Sequence, residues 1–153
     1  MYIINTESTD LIDIEILPIE ERDFDRIEED RYFFNWREEE DYHVYKLMIS
    51  GRDDILGLAS FGFIDEESRV EIRLLAVSSE NRGERKKYDR IAGCLIGFAA
   101  RIALRMYRTL PCLSLEPKTE LREYYKKKYY MKDGGRSVFC DGIDLVKLSM
   151  EYE

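Results

Sequence analysis

The feature that most constrains the fold is a change of hydrophobic pattern near residue 78. Before it, residues 42–49, 55–64 and 69–77 read as three strands separated by short turn segments. After it, a polar segment leads into a helix predicted from residue 90 to about 107, in which apolar residues recur every three or four positions. An antiparallel meander that gives way to helix-containing segments predicts an α+β sandwich with a mixed sheet.

Further elements are predicted on both sides of this change. Residues 11–17 alternate apolar and polar, as in a half-buried strand, and Pro18 is placed at the start of a helical stretch. Beyond the long helix, we predict a strand over 112–116 and a helix entered at residues 117–119. The predicted order is therefore β-α-β-β-β-α-β-α-β-β.

Two details of this prediction depend on glycines. Asp141-Gly142 is a strong two-residue turn signal and predicts a final hairpin joining residues 136–140 to residues 143–150. Gly93 and Gly97 lie inside the long helix, where glycine costs stability unless close packing requires it. We therefore expect the helix backbone to approach the sheet closely at these two positions.

The charge is unevenly distributed along the chain. The net charge is −8, but residues 1–79 contain 8 Lys/Arg against 21 Asp/Glu, whereas residues 80–136 contain 15 Lys/Arg against 7 Asp/Glu. A basic middle in an acidic protein indicates one anionic ligand bound locally and disfavours a nucleic-acid binder, which would be basic overall. The alternative is that the charge runs are solvated faces.

Composition and length narrow the class of protein further. At 153 residues, 44% hydrophobic and 37% charged, the chain is expected to fold as one globular domain over residues 1–153. The longest apolar run, residues 91–100, is too short for a bilayer, and the N-terminus lacks a signal-peptide pattern. Three widely spaced cysteines and one histidine suggest neither a disulfide framework nor a metal site, so we expect a cytoplasmic protein with reduced thiols.

Two motifs, together with the element order, resemble the GNAT (Gcn5-related N-acetyltransferase) fold over nearly the whole chain. The family has a strand ending in Val, an Arg-Gly or Gln-Gly loop, and Gly-x-Gly/Ala opening a long helix. Here Val77 ends the strand, Arg82-Gly83 follow, and Ala92 resembles the last residue of the helix motif. The segment 114–131, with its tyrosines, resembles the family's late strand and helix. The resemblance implies a GNAT-like acyl-CoA N-acyltransferase fold with a mixed, mostly antiparallel sheet flanked by helices.

The chain departs from the family pattern at two glycine positions. Arg90 stands where the helix motif has its first glycine, and about five extra residues precede Ala92-Gly93. The family's closing Gly-Phe is replaced by Tyr130-Met131. In the binding of a pyrophosphate, Arg90 either obstructs the approach to the backbone or adds a cation.

The resemblance implies a binding site for acetyl-CoA as acyl donor, with no metal. Helix N-termini carry unpaired N–H groups and a partial positive charge, and the basic loop could meet the 3′-phosphate. The backbone amides of Ala76 and Val77 would polarise the thioester carbonyl. An ordinary solvated basic loop is the structural alternative. The residues that we expect to contact the coenzyme are Ala76, Val77, Arg82, Gly83, Lys87, Arg90, Ile91, Ala92 and Gly93.

Acyl transfer needs a base for the amine and an acid for the leaving thiolate. Glu71 is the candidate base, because GNAT enzymes commonly carry theirs on this strand; pairing of Glu71 with Arg73 is the structural alternative, and Glu116 is the second candidate. Tyr125 is the candidate acid by resemblance to the tyrosine of the family's late helix. Tyr124 and Tyr129 compete for this role, and a packing stripe that includes Tyr125 and Tyr129 is the structural alternative.

The sequence thus predicts transfer of an acetyl or other acyl group from acyl-coenzyme A to a primary amine. The acidic N-terminal half favours a cationic acceptor, such as a polyamine or a lysine-rich peptide. Nucleic-acid and membrane partners are not expected, and a homodimer is compatible with the sequence. The alternative function is a catalytically inactive GNAT-fold binding or interaction module.

Overall fold

The computed structural model describes residues 1–153, which form nine strands and four α-helices. The strands are β1 (Tyr2–Asn5), β2 (Leu11–Pro18), β3 (His43–Ile49), β4 (Ile55–Ile64), β5 (Arg69–Val77), β6 (Tyr88–Asp89), β7 (Cys112–Leu115), β8 (Lys132–Gly134) and β9 (Ser137–Asp141). The α-helices are α1 (Glu29–Tyr32), α2 (Ile91–Met106), α3 (Arg122–Lys128) and α4 (Gly142–Glu151). Short 3₁₀-helices cover Glu21–Arg26, Trp36–Glu39, Asp65–Glu67, Ser79–Asn81 and Thr119–Leu121.

The strands form one sheet in the order β6-β1-β2-β3-β4-β5-β7-β9-β8. β5 pairs with β7 in parallel, with Glu71 in register with Ser114. The pairs β1–β2, β2–β3 and β7–β9 are antiparallel. The predicted α+β class with a mixed, mostly antiparallel sheet is confirmed. The predicted meander strands and the long helix agree with β3, β4, β5 and α2 to within one residue at each end.

The predicted final hairpin is wrong. Asp141 ends β9, and Gly142, with a φ of 57°, begins helix α4 instead of a turn. Leu145, Leu148 and Tyr152 are buried at helical spacing, so the apolar period of this segment is that of a helix. The hairpin lies one element earlier, where β8 and β9 pair with Gly134 opposite Ser137.

Three short strands, β1, β6 and β8, were not predicted, and one helix begins later than expected. β1 pairs with β2 on one side and with β6 on the other, and both β1 and β6 are too short for a clear alternation pattern. Pro18 is the last residue of β2, and the helical turn that follows begins only at Glu21. β6 lies within the polar segment that precedes α2.

Backbone proximity divides the chain into two units, Met1–Ser60 with Leu74–Leu95, and Phe61–Arg73 with Ile96–Glu153. In the first unit, Tyr32 and Trp36 are buried with Val44, Met48 and Leu58. The Trp36 indole Nε1–H donates to the Tyr32 carbonyl (3.0 Å), and the Tyr32 hydroxyl donates to the Ile55 carbonyl (2.7 Å). Both aromatic polar groups are therefore satisfied in the apolar interior.

Glycines allow close packing in each unit. In the first unit, a Cβ added at Gly57 of β4 would lie 2.8 Å from Ile91 Cγ2. In the second unit, a Cβ added at Gly97 would lie 2.7 Å from Tyr152 Cβ. At Gly97, α2 therefore packs closely against the end of α4 and not, as we expected, against the sheet. The close contact between the sheet and α2 is instead at Gly57 of β4.

No helix has both the length and the apolar character that a membrane span requires. No group of three His, Cys, Asp or Glu side chains is arranged to hold a metal ion.

Candidate functional site

The first turn of α2, in the first unit, presents free backbone donors. The first helical hydrogen bond runs from the Cys94 amide to the Arg90 carbonyl (2.9 Å), so the amides of Ile91, Ala92 and Gly93 precede the helical ladder. The Asp89 carboxylate accepts from the Arg90 amide (2.8 Å). α2 has sixteen residues, and its N-terminal end combines unpaired N–H groups with the positive end of the helix dipole. Both features favour the binding of a phosphate group.

Arg90 has a left-handed backbone conformation, which glycine adopts at the lowest cost. Its φ is 82°, in the left-handed region that costs a non-glycine residue on the order of 1–2 kcal/mol. The side chain is held against β1: the guanidinium carbon lies 4.1 Å from the centre of the Tyr2 ring, and Nε donates to the Tyr2 carbonyl (3.3 Å). Contacts with Tyr2 therefore hold the side chain of this left-handed residue in place.

The loop between β5 and α2 is fixed by buried Asn81. Its side-chain amide donates to the Ser78 hydroxyl (3.0 Å), and its side-chain oxygen accepts from the Tyr88 amide (3.0 Å). The Ser78 amide in turn donates to the Leu56 carbonyl of β4 (2.9 Å). These bonds close the loop across seven residues, so Arg82 to Lys87 project from a fixed base.

The extra residues of this loop are built into the sheet. The Thr6 amide and hydroxyl donate to the Lys87 carbonyl (2.9 Å) and the Lys86 carbonyl (2.7 Å), just before β6 pairs with β1. Lys86 also forms an ion pair with Asp89 (2.9 Å). Lys87 remains exposed at the surface. The insertion thus forms an edge strand and leaves Lys87 as its outward-facing cation.

The Arg82-Gly83 pair lies at the exposed bend of the same loop. The Arg82 guanidinium carbon is 4.3 Å from the centre of the exposed Phe33 ring. Gly83 has a φ of 79° and no atom within 4 Å of where its Cβ would be, so the glycine serves the turn and not a close approach. At the end of β5, Ala76 is buried and Val77 is half-buried.

An arginine of α1 holds the start of the loop. Arg31 forms ion pairs with Asp54 (2.8 Å) and with Glu80. Burial acts to raise the pKa of Glu80, but the hydrogen bond and charge of Arg31, together with hydrogen bonds from the Glu80 amide and from Ser78, outweigh it, and the net pKa is lowered. The negative charge of Glu80 is therefore compensated beside the candidate phosphate-binding segment.

Glu71, in the second unit, lies in a polar group on β5 and β7. Its carboxylate is 38% exposed and is 3.7 Å from Nη1 of Arg69. The same nitrogen donates to the Ser114 hydroxyl (2.7 Å). Sequence reasoning missed Arg69, although its position two residues before Glu71 on one strand is the signal that could have found it. Glu116 follows β7 and is exposed.

Tyr125 belongs to a cluster of four tyrosines in the second unit. Its ring centre lies 5.8 Å from that of Tyr124 and 5.6 Å from that of Tyr129, and Tyr129 lies 6.0 Å from Tyr152. Tyr129 is 2% exposed, and burial raises the pKa of its hydroxyl. Tyr124 is 48% exposed and Tyr125 is half-buried. The packing interpretation therefore fits Tyr129 best among the three candidates.

Tyr130, the second residue that replaces a glycine of the family pattern, also has a left-handed backbone. Tyr130 has a φ of 56°, again left-handed, and its hydroxyl donates to Glu151 (2.6 Å). The Tyr129 amide donates to the Tyr125 carbonyl (3.0 Å), and the Met131 amide to the Lys126 carbonyl (3.2 Å). The backbone thus leaves α3 in the glycine conformation although a tyrosine occupies the position.

The predicted site residues fall into two sets. Those expected to bind the coenzyme, from Ala76 to Gly93, belong to the first unit, and Glu71 and Tyr125 belong to the second. Within the first set, the structure brings the loop and the amides that open α2 together. Within the second, Glu71 contacts Arg69, and Tyr125 contacts its neighbouring tyrosines.

Comparison with solved structures identifies the fold. Mutant forms of the spermidine/spermine N-acetyltransferase SpeG from Vibrio cholerae superpose with a TM-score of 0.65 at 11% identity, over 90% of this chain and 99% of SpeG. A mutant form of the AtaT toxin, bound to the C-terminus of the antitoxin AtaR and acetyl-CoA, gives a TM-score of 0.62 at 14% identity over 90% and 99%. AtaT complexed with acetyl-methionyl-tRNAfMet gives 0.60 at 14% identity over 89% and 99%.

The chain therefore has the GNAT acyl-CoA N-acyltransferase fold that these acetyltransferases share. No family model and no curated protein sequence matches it.

Proposed function

We propose that this protein transfers an acetyl or other acyl group from acyl-coenzyme A to a primary amine. The observation that carries the proposal is the opening of α2. The amides of Ile91, Ala92 and Gly93 precede the helical hydrogen bonds, and the left-handed backbone of Arg90 leads into them. The fold supplies the second support, since the structural neighbours include a protein bound to acetyl-CoA.

In this proposal, the amides of Ile91, Ala92 and Gly93 bind the coenzyme pyrophosphate. Because the Arg90 guanidinium is occupied at Tyr2 and its amide donates to Asp89, Arg90 would contribute through its left-handed backbone, which leads into these three amides. Arg82, Gly83 and Lys87 lie on the loop that precedes the helix and would meet the remaining phosphate. Ala76 and Val77 would orient the thioester carbonyl.

Proton transfer is assigned to Glu71 and Tyr125. An ammonium acceptor must lose a proton before its nitrogen attacks the thioester carbonyl, and the departing thiolate must gain one. The Glu71 side chain is 38% exposed and its carboxylate lies 3.7 Å from Nη1 of Arg69, so an acceptor amine could reach it. The Tyr125 hydroxyl would hold or donate the proton at the sulfur. Glu71→Gln should then lower kcat with KM little changed, and Tyr125→Phe should do the same.

The acceptor that we propose is cationic. Residues 18–45 carry 11 Asp/Glu against 4 Arg, and this segment belongs to the acidic N-terminal half. SpeG, among the structural neighbours, is a spermidine/spermine N-acetyltransferase. A neutral amine acetylated as fast as a cationic one of the same size would contradict this assignment.

The second candidate function is a GNAT-fold binding module without catalysis. The observation that favours it is that all three predicted coenzyme-binding cations already lie over aromatic rings, Arg82 at Phe33, Lys87 at Tyr88 and Arg90 at Tyr2. A degraded site on an intact scaffold would look the same.

Calorimetric titration with acetyl-CoA tests the proposal. We expect micromolar binding by the wild-type protein, a loss of about tenfold or more in Arg82→Ala/Lys87→Ala, and little change in Arg90→Gly. Lys127→Ala/Lys147→Ala removes the same charge from exposed positions outside the site and serves as the control. No binding at millimolar acetyl-CoA would overturn the enzyme proposal and favour the binding module.

Three further features of the protein stay predictions. One domain over residues 1–153 is supported by neighbours that match about nine-tenths of the chain. A cytoplasmic location is supported by three free cysteines, two of them buried. Homodimer formation is testable by the concentration dependence of sedimentation.

A further inference from the structure

A cavity in the first unit is lined by residues of the acidic segment 18–45 and by none of the residues assigned to coenzyme binding or proton transfer. Its volume is about 400 Å³, and it lies where the end of β2 and the 3₁₀-helix Glu21–Arg26 meet the residues that lead into β3. Its walls come from two segments that are distant in sequence, residues 18–24 and 40–45. The cavity is therefore a product of tertiary structure and not of one local turn.

The inner wall is apolar and aromatic. Val44 is buried, Ile19 and Phe24 are half-buried, and Tyr42 is 42% exposed. Such a surface suits methylene groups, and the faces of the aromatic rings carry the negative potential that attracts cations.

The rim of the cavity carries more negative charge than the neighbouring Arg37 can neutralise. Glu21, Glu40 and Asp41 line the cavity. Arg37 bonds to Glu21 and lies 3.7 Å from Glu40, but it also lies 3.9 Å from Asp25. Asp41 has no ion pair. One arginine thus serves three carboxylates, and Asp41 adds a fourth.

The same wall already holds one cation of the protein itself. The Arg37 guanidinium carbon lies 4.4 Å from the centre of the Phe24 ring while its nitrogens contact Glu21 and Glu40. An aromatic face bordered by carboxylates is therefore a working cation contact in this structure. The remaining volume and the remaining negative charge are what a second, longer cation would use.

We propose that this cavity binds an aliphatic amine that carries at least two ammonium groups. The methylene chain would lie on Ile19, Phe24 and Val44, one ammonium would meet Asp41 and Glu40, and Tyr42 would cover the chain from the solvent side. A divalent metal ion fits less well, because Ile19, Phe24 and Val44 offer it no side-chain oxygen and the cavity's acids form no group that could hold a metal ion.

This inference extends the proposal of a cationic acceptor. It depends on the proposed function only in taking the bound amine to be the acceptor for acyl transfer. Amine binding itself needs no coenzyme. Failure of the amine to bind and failure of acetyl-CoA to bind are therefore separate results.

The test is calorimetric titration of the full chain with spermidine at low salt, without acetyl-CoA. Glu40→Gln/Asp41→Asn should weaken binding by about tenfold or more, and Tyr42→Ala should weaken it by a smaller factor. The matched control is Glu7→Gln/Asp10→Asn, which removes the same charge from exposed residues away from the cavity and should bind within about twofold of wild type. Circular dichroism melts establish that each variant is folded.

Three results would overturn the proposal. These are no heat of binding at millimolar spermidine, an equal loss in the cavity and control variants, and binding of magnesium or of 1,4-butanediol as tight as that of spermidine. Tight spermidine binding by a protein that does not bind acetyl-CoA would leave this site standing and refute the acyl transfer.

Discussion

Each unit contains a buried cluster that stabilises it, an ionic cluster in the first unit and an aromatic cluster in the second. In the first unit, Lys46 Nζ lies 2.7 Å from the Asp23 carboxylate, with both side chains at most 3% exposed. In the second unit, Tyr129 is buried against Tyr125 and Tyr152. The ionic cluster depends on each charge having its partner, whereas the aromatic cluster depends on shape.

The ionic cluster is completed by further bonds to Asp23. Its second oxygen accepts from Arg26 (2.9 Å), and the Glu20 amide donates to the oxygen that Lys46 contacts (2.8 Å). Burial acts to raise the pKa of Asp23, but the bonds from Lys46, Glu20 and Arg26 outweigh it, and the net pKa is lowered. The comparison teaches that an acid-rich segment can be buried only where cations and amides meet its carboxylates, and that the unmatched carboxylates remain at the cavity rim.

The largest expected effect comes from breaking the ionic cluster. Lys46→Met should lower the free energy of unfolding by about 3–5 kcal/mol, because Asp23 would remain buried with only Arg26 as a charged partner. Urea denaturation measures this value. Lys147→Met, at an exposed position, should change it by less than about 0.5 kcal/mol.

A double variant sharpens the same result. Asp23→Leu/Lys46→Met should recover most of the loss, since removing both charges removes the unpaired one. If the double variant is no more stable than Lys46→Met, the pair contributes by packing and the contrast with the aromatic cluster disappears.

A smaller effect is expected where α2 meets the aromatic cluster. Gly97→Ala should destabilise the protein by about 1–3 kcal/mol, because its Cβ would lie 2.7 Å from the Tyr152 Cβ, which cannot rotate away. The loss should not depend on salt, unlike one at an ion pair. A gain of about 1 kcal/mol, the usual advantage of Ala over Gly in a helix, would show that the contact relaxes freely.

The smallest effects are the pH dependences, which have opposite signs in the two clusters. The pKa of Asp23 is lowered on folding, so its contribution to stability is present above its unfolded pKa and is lost as the pH falls through the folded one. Burial raises the pKa of Tyr129, so its contribution is present below about pH 10 and is lost as the pH rises further.

Urea denaturation at a series of pH values checks both limbs. Tyr129→Phe should reduce the alkaline loss and leave the acid limb unchanged. It should not abolish the alkaline loss, because burial also raises the pKa of Tyr32, to about 12. An unchanged alkaline limb in Tyr129→Phe would mean that the hydroxyl ionises without cost and that the cluster is open to water.

Much of the fold could be predicted because it depends on local periodicity. The alternation in β5 and the three-and-four spacing in α2 are properties of short segments, and both elements were predicted to within one residue at each end. The prediction is wrong after Gly142, because Asp141-Gly142 is a strong local turn signal whereas the burial of Leu145 and Leu148 has the spacing of a helix.

The candidate site could be predicted only as a list of positions. The resemblance assigned Arg90 and Tyr125 to motif positions, but it gave no contact for either side chain. Tyr2 as the partner of Arg90 is 88 residues away, and no spacing rule links the two. The two-residue period of a strand places Arg69 and Glu71 on the same face, so this contact could have been predicted from the sequence.

The sequence by itself determined the order of the main strands and the long helix, the uneven charge, and the basic loop ahead of α2, because each is written in neighbouring residues. Only the tertiary structure decided that Arg90 and Tyr130 keep a glycine-like backbone, since contacts with distant residues offset the local strain. It also decided which acid is buried with Lys46 and which acids line the cavity. Those pairings depend on distances between segments far apart in the chain, which the sequence does not state.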